Sequence, residues 1–173
     1  MTLNGCLITS YHGALASYGE AAVATLDDCE IDMVGIKGFT SHGFYTYSGG
    51  KVVVNNGVYA NKADDQNATG GSVINGVVEI NGGTFTGRIE NYYGAPVIKG
   101  GTFSVNPSKY VVEGYVAQQD AETGLYTIYR IVYTFEELQD IKDIGPTLAK
   151  NLFEYFHDLE KGIGQLSLSF LLF

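Results

Sequence analysis

The chain has 173 residues, 23 of them glycine and 13 tyrosine, with 17% charged residues and a formal net charge of −9. This length suits one domain, or one domain with a small appendage, and the many glycines and aromatic residues favour strands joined by tight turns. The acidic balance and the lack of a long apolar run make nucleic-acid backbones and membranes unfavourable partners. The first ten residues, MTLNGCLITS, lack the basic region and apolar core of a secretory signal peptide.

Five six-residue segments, here called hexads, share one pattern at intervals of roughly 18 to 28 residues. They are LNGCLI (3–8), LDDCEI (26–31), VNNGVY (54–59), INGGTF (80–85) and IKGGTF (98–103). Position one is aliphatic, position four is Cys or Gly, and position six is large and apolar. The pattern predicts one strand per coil with a left-handed Asn/Gly corner inside it, and coils that bury their apolar faces against one another. We therefore predict a mainly β fold, with parallel β-solenoid coils over residues 1–105.

The segments between the hexads supply the remaining faces of the predicted coils. Residues 12–26 and 42–54 both begin with His-Gly and indicate related faces at similar places in their coils. Residues 60–71 are polar and flanked by glycine, which predicts a protruding loop.

Four tyrosines in these segments are candidate ligand-binding residues. Tyr45 and Tyr47 alternate with Phe44 and Thr46, so both tyrosine side chains lie on one face of a strand. Tyr92 and Tyr93 occupy the comparable segment two coils later. Exposed tyrosines bind sugars or protein surfaces by stacking and hydrogen bonding, whereas packing between faces is the alternative interpretation.

Residues 106–131 predict a cap for the solenoid. Asn106-Pro107-Ser108 has the features of a helix start, and GYVAQQ and LYTIYRI flank DAETG as in an antiparallel hairpin. With the preceding GGTF coil, this ending resembles the end module of Gly-rich right-handed parallel β-helix proteins of bacterial surfaces and bacteriophage fibres. The resemblance covers residues 1–131.

The resemblance implies a non-enzymatic virion fibre or cell-surface adhesin component, located on the virion, at the cell surface or outside the cell. It implies glycan or surface-protein partners and a homo-oligomer, with a trimer as one form. Some such proteins degrade polysaccharides, so a lyase or glycosidase is the first alternative.

The acidic residues give that alternative little support. Asp27 and Asp28 fall at a hexad corner, and Glu30 lies where the other hexads carry Leu, Val or Thr. Carboxylate pairs in glycosidases are about 5–9.5 Å apart, and no neighbouring coil supplies a second acid at this register. His12 and His42 lack further metal ligands at suitable spacing. We predict no catalytic residue, no metal and no cofactor.

The two cysteines, Cys6 and Cys29, occupy position four of adjacent hexads. Neighbouring strands lie about 4.8 Å apart, which is within the Cα range of a disulfide, but parallel in-register side chains make the dihedral angle awkward. The sequence is compatible with a disulfide and with two small thiols in the core.

Residues 132–173 change to a helical pattern. Leu138, Ile141, Ile144, Leu148, Leu152 and Phe156 are expected on one helical face, with Thr134 and Glu137 as a capping box and Pro146 opening a second helix. Residues 135–156 resemble a helix-hairpin-helix of NAD-dependent DNA ligases, through EEL, Ile141, DIG, Ala149 and Phe156.

That resemblance implies DNA-backbone contacts, which would fall on Ile144, Gly145, Thr147 and Lys150. Residues 134–162 carry three Lys against seven Asp or Glu, so the segment makes a poor phosphate site. A DNA-associated module is therefore the second alternative, and packing of two helices is favoured. The terminal LSLSFLLF is expected to be buried under the helices or in an oligomer interface.

Overall fold

The computed structural model describes residues 1–35, 40–62, 71–131, 135–141 and 144–162. The chain divides into two compact units, Met1–Ile128 and Tyr129–Phe173. Strands dominate the first unit, and the prediction of a mainly β fold is confirmed.

Three sheets form the first unit, with strands numbered in chain order. The first sheet contains β1 (Thr2–Asn4), β4 (Val23–Asp27), β7 (Lys51–Val54), β10 (Val78–Ile80) and β13 (Val97–Ile98). The second contains β2 (Leu7–Ser10), β5 (Cys29–Met33), β8 (Gly57–Asn61), β11 (Thr84–Thr86), β14 (Thr102–Phe103), β16 (Tyr126–Arg130) and β15 (Tyr115–Gln119). The third contains β3 (Gly13–Tyr18), β6 (Ser41–Tyr47), β9 (Gly71–Asn75) and β12 (Arg88–Glu90). From β1 to β11, each strand pairs in parallel with the strand three places later in the chain.

The hexads align in the register that their sequence pattern predicts. Position-one residues pair along the first sheet, in the order Leu3, Leu26, Val54, Ile80 and Ile98. Position-six residues pair along the second sheet, in the order Ile8, Ile31, Tyr59, Phe85 and Phe103. All but the first residue of each row are essentially inaccessible to solvent. The two rows therefore form the core of the unit.

Rings stack along the position-six row. The Tyr59 and Phe85 ring centroids lie 5.1 Å apart, and those of Phe85 and Phe103 lie 4.9 Å apart with planes only 10° from parallel. Phe44 of the third sheet contacts the Tyr59 ring edge-on at 5.0 Å. Such contacts add to the large apolar area that each ring buries.

The prediction of one strand per hexad is wrong. Each hexad spans two strands, because the chain turns from the first sheet to the second inside it. The left-handed residue is at position three in the first two hexads, where Gly5 has φ 59° and Asp28 has φ 52°. In the last three it is at position four, where Gly57, Gly83 and Gly101 have φ between 100° and 128°. Only glycine adopts such extended positive angles at low cost.

Position four is small because rings and backbone approach it closely. A Cβ on Gly101 would lie 2.9 Å from the Gly83 carbonyl oxygen and 3.3 Å from a Phe103 ring carbon. The hexads with Cys at position four carry isoleucine, not a ring, at position six. Residue size at the corner and side-chain shape in the core are therefore matched within each hexad.

The predicted loop at residues 60–71 is shorter than expected. Ala60 and Asn61 belong to β8, and Gly71 begins β9; residues 63–70 lie outside the described part of the chain. Asn61 is buried, and its amide donates to the Ser72 carbonyl oxygen at 2.9 Å. This bond connects β8 with the start of β9.

The hairpin strands β15 and β16 lie at the end of the second sheet, where β16 pairs antiparallel with β14. The predicted helix start is a single 3₁₀ turn, Ser108–Tyr110, and the Asn106 side chain accepts from the Ser108 amide at 3.0 Å. Pairing with β16 satisfies backbone groups on β14 that a sheet edge would otherwise expose.

The second unit contains α1 (Phe135–Gln139) and α2 (Pro146–Gly162). Leu138 and Ala149 are buried together, with Ile141, Ile144 and Phe153 packed against them. The expected place of Leu148 on this face is wrong, because 48% of its surface is exposed. Since α2 begins at Pro146 as a separate helix, its helical phase is independent of that of α1. Thr134 and the LSLSFLLF segment lie outside the described residues, as does the side chain of Phe156.

No helix within the described residues is long and apolar enough to cross a membrane.

Replacing Phe85 with Ala is expected to lower the free energy of unfolding by about 3–5 kcal/mol, because it removes a ring that is stacked on both sides. Thr84→Ala is the matched control, since the neighbouring Thr84 is exposed on the opposite strand face, and should change it by less than about 0.5 kcal/mol. Urea denaturation of both variants measures the difference. Equal effects of the two substitutions would contradict the assignment of inner and outer faces.

The ion pairs of Glu79 are expected to stabilise the fold in a way that is lost at acidic pH. The carboxylate accepts from Lys51 at 2.5 Å and Lys99 at 3.0 Å, and these bonds lower the pKa of Glu79 from its ordinary value of 4.5. A carboxyl with a lowered pKa stabilises the fold above that ordinary value, and the effect is lost as the pH falls through the lowered pKa. Glu79→Gln should therefore cost about 1 kcal/mol at pH 7 and progressively less below pH 4.5. A cost independent of pH in denaturation curves would contradict this.

Candidate functional site

The third sheet carries a surface of tyrosine side chains. Along β6, Phe44 and Thr46 are buried, whereas Tyr45 is half-buried and Tyr47 is 51% exposed. The predicted alternation along this strand is therefore confirmed. Tyr18 ends β3 and pairs in register with Tyr47.

Five tyrosines from three parts of the chain make continuous ring contacts, and we call them the tyrosine surface. Tyr18 stacks on Tyr47 with a centroid distance of 5.5 Å. Tyr93 contacts Tyr47 at 5.8 Å and Tyr45 at 6.3 Å. Tyr92 meets Tyr93 edge-on at 4.9 Å and is 82% exposed. The structure thus brings together all four tyrosines that the sequence singled out.

Sequence reasoning missed Tyr18. The signal was present, because SY ends GALASY in β3 as TY ends SHGFYTY in β6. The related His-Gly starts of these segments suggest a different alignment, but Gly13 pairs with His42. His12 and His42 are therefore offset by one residue, although the two segments pair strand by strand and so form related faces, as expected.

A buried asparagine positions Tyr92 and Tyr93, which follow β12 in a turn. Asn75, only 2% exposed, accepts with its side-chain oxygen from the Tyr92 amide at 3.0 Å and from the Tyr93 amide at 3.3 Å. Its NH₂ group donates to Glu90 at 3.4 Å. Asn75 also pairs with Tyr45 across the β6–β9 ladder. One side chain therefore fixes the position of the turn relative to the sheet.

An open recess of about 470 Å³ adjoins the tyrosine surface, bordered by Tyr92, Tyr93, Glu90, Asn91 and His42. Nδ1 of His42 lies 2.8 Å from the Ser72 hydroxyl oxygen, and the His42 ring contacts Tyr93 edge-on at 6.4 Å. Burial lowers the pKa of His42, so its imidazole is neutral at pH 7. The recess therefore offers an aromatic wall, neutral polar groups and the Glu90 carboxylate.

Two of the acidic residues near the second hexad, Asp28 and Asp32, have polar partners. Asp28 occupies a left-handed corner and accepts from Asn56 at 2.9 Å. Glu30 lies on the outer face between Leu7 and Val58, and Asp32 pairs with Lys62 at 2.9 Å. Among the described residues that border the recess, Glu90 is the single carboxylate.

No group of three or more metal-ligating side chains occurs within the part of the chain that the structure describes.

The four DNA-backbone candidates lie around the start of α2. Ile144 packs against Leu138 and Ala149, whereas Gly145, Thr147 and Lys150 are exposed. The Lys150 ammonium lies 3.8 Å from Glu154, one turn further along the helix. Phosphate contact at these positions stays a prediction.

Comparison of the chain with protein-family models, curated proteins and solved structures finds no match. The tyrosine surface and the recess are therefore interpreted from their own chemistry.

Asn75→Ala is expected to loosen the turn that carries Tyr92 and Tyr93, because both backbone amides lose their acceptor. We expect a loss of about 1–3 kcal/mol in unfolding free energy and faster hydrogen exchange at these two amides. Asn91→Ala is the control, since Asn91 is exposed on the same turn. Unchanged exchange at both amides in the Asn75 variant would show that the turn is held by other contacts.

Proposed function

We propose that the chain is a non-enzymatic binding protein that recognises a glycan through the tyrosine surface, as a component of a virion fibre or a cell-surface adhesin. The observation that carries the proposal is the run of ring contacts from Tyr18 through Tyr47 and Tyr93 to Tyr92. The scaffold that we propose is a right-handed parallel β-solenoid with a hairpin cap. Its support is the parallel pairing of strands three apart, together with the strong preference of parallel crossovers for right-handed connections.

The exposure of the rings supports a binding role over a packing role. Tyr18, Tyr47 and Tyr92 are 70%, 51% and 82% exposed, whereas the side chains on the inner face of the same sheet are buried. A contiguous exposed aromatic patch on a soluble domain commonly marks an interaction site. Ring faces stack on the apolar faces of sugars, and the hydroxyl groups at the ring edges exchange hydrogen bonds with sugar hydroxyls.

Rigidity of the surface also supports recognition. Tyr18 and Tyr47 lie on neighbouring paired strands, and Tyr92 and Tyr93 are held by buried Asn75. Rings that are already ordered lose little conformational entropy when a ligand binds. Between β3 and β12 the surface spans three strand spacings, about 14 Å, which suits an extended ligand better than a single small molecule.

The charge around the site favours an uncharged glycan. Glu90 borders the recess, and the chain carries a net charge of −9. Both disfavour polysaccharides rich in carboxylate or sulfate groups, because like charges repel at close range. We therefore propose neutral sugars as the primary ligand class, with a protein surface as the second class of partner.

The other elements of the proposal are a homo-oligomer, with a trimer as the fibre form, and a location on the virion, at the cell surface or outside the cell. They follow from the resemblance of residues 1–131 to β-helix fibre and surface proteins. Sedimentation analysis measures the oligomeric state directly, and a monomer at all concentrations would contradict this element.

Neutral oligosaccharides immobilised on an array are expected to bind the chain. Tyr47→Ala and Tyr93→Ala should each weaken this binding about tenfold, because one stacked ring contributes roughly 1.4 kcal/mol to the binding free energy. Tyr11→Ala is the matched control, because Tyr11 is 61% exposed and is not one of the five tyrosines. Its affinity should equal that of the unmodified chain.

Equal weakening by the Tyr11 and Tyr47 substitutions would contradict the proposed site. Binding that is restricted to sulfated or uronic oligosaccharides would contradict the ligand class. Salt-dependent binding to DNA that Lys150→Glu abolishes would instead favour a DNA-associated role for the tail.

A further inference from the structure

The two cysteines face each other across a parallel strand pair. Cys6 precedes β2, Cys29 begins β5, and the following residues, Leu7 and Glu30, are partners in register. The Sγ atoms of Cys6 and Cys29 lie 2.7 Å apart, and both residues are free thiols.

The backbone on both sides of the pair is fixed by ladder hydrogen bonds. The Gly5 amide donates to the Asp27 carbonyl oxygen at 3.0 Å, and the Glu30 amide donates to the Cys6 carbonyl oxygen at 2.7 Å. Adjacent parallel strands place Cα atoms about 4.8 Å apart, inside the range of native disulfides. Closing the bond to about 2.05 Å needs a small side-chain adjustment and no movement of the strands.

We propose that Cys6 and Cys29 are an oxidation site that forms an intrachain disulfide and covalently joins the first two coils. Cys6 is half-buried, whereas Cys29 is 1% exposed, so Cys6 is the thiol that a reagent reaches. The co-reactant is a low-molecular-weight disulfide such as oxidised glutathione.

The reaction proceeds by two thiol–disulfide exchanges. The Cys6 thiolate attacks one sulfur of the reagent, the reagent's S–S bond breaks, and its other half leaves as a thiolate. The Cys29 thiolate then attacks Sγ of Cys6, and the second half of the reagent leaves. The two cysteine thiols lose two protons and two electrons, and the reagent is reduced to two thiols.

The surroundings of the two thiols determine how the rate of disulfide formation depends on pH. The hydrogen bond between the two sulfur atoms, followed by burial, raises the pKa of the Cys6 thiol. Because the thiolate is the attacking species, the first exchange is slow at neutral pH and accelerates as the pH rises. Within the described residues, the titratable group that interacts with both cysteines is Tyr59, whose pKa is raised by burial and by the charges of Cys29, Cys6, Asp27 and Asp28.

The disulfide would close a covalent loop over the segment between Cys6 and Cys29. The two strands that it joins, β2 and β5, lie at one end of the second sheet, and the hairpin strands β15 and β16 lie at the other end. A disulfide across a loop of this length stabilises a domain chiefly by restricting the unfolded chain. The oxidised chain should therefore unfold at a temperature about 5–10 °C higher than the reduced chain. The tyrosine surface lies on another sheet and keeps its ring contacts.

Incubation of the folded full-length chain with oxidised glutathione tests the proposal. We expect the mass of the intact chain to fall by the mass of two hydrogen atoms. Neither cysteine should then react with a thiol reagent, whether or not denaturant is present, and Tm should rise. In Cys29→Ser, the remaining Cys6 should accumulate a stable glutathione adduct. In Cys6→Ser, the buried Cys29 should stay unmodified until the chain is unfolded.

Three results would overturn the proposal. They are two thiols that still react after denaturation of the treated chain, a stable glutathione adduct on the unsubstituted chain, and a disulfide-linked dimer in place of the intrachain bond. The single-cysteine variants are checked by circular dichroism, so a folding failure is distinguished from a lack of reactivity.

Discussion

The stacking of position-six side chains is the interaction on which the rest of the first unit depends. Tyr59, Phe85 and Phe103 lie one above another at about the strand spacing, with ring centroids 5.1 and 4.9 Å apart. Large flat rings fit this arrangement only when the neighbouring corner residue has no side chain. Gly57, Gly83 and Gly101 supply that space and also the positive φ that turns the chain between sheets. The same glycines therefore satisfy both the packing of the rings in the core and the backbone turn between the sheets.

The same register that stacks the rings inside the unit also arranges tyrosines outside it. Strand side chains alternate, so a strand aligned by its inner residues has its outer residues aligned as well. This places Tyr18 beside Tyr47, and it places buried Asn75 where it accepts from the turn that carries Tyr92 and Tyr93. The candidate site is thus a consequence of the repeat, together with one irregular turn that the repeat does not specify.

The sequence predicts the core rows well, because residue size at positions one, four and six is repeated from one hexad to the next. It predicts the third sheet less well, since the segments between hexads differ in length and share few residues. That is why the His12 and His42 segments are offset by one residue and why Tyr18 was missed. In the tail, the single helical face expected for Leu148 does not extend across the two helices, because α2 begins at Pro146 with its own helical phase. Asn75 had no detectable signal, since its role depends on contacts between residues distant in the chain.

The claim most open to direct measurement is that the hexads stack in parallel and in register. Spin labels at Leu7 and Thr102, in a chain whose two native cysteines are replaced by serine, report the distance across four strand spacings of the second sheet. Stacked strands predict a narrow distribution in which the backbone separation is about 19 Å. A broad distribution, or one centred beyond about 30 Å, would contradict the stacked register and the tyrosine surface that is built on it.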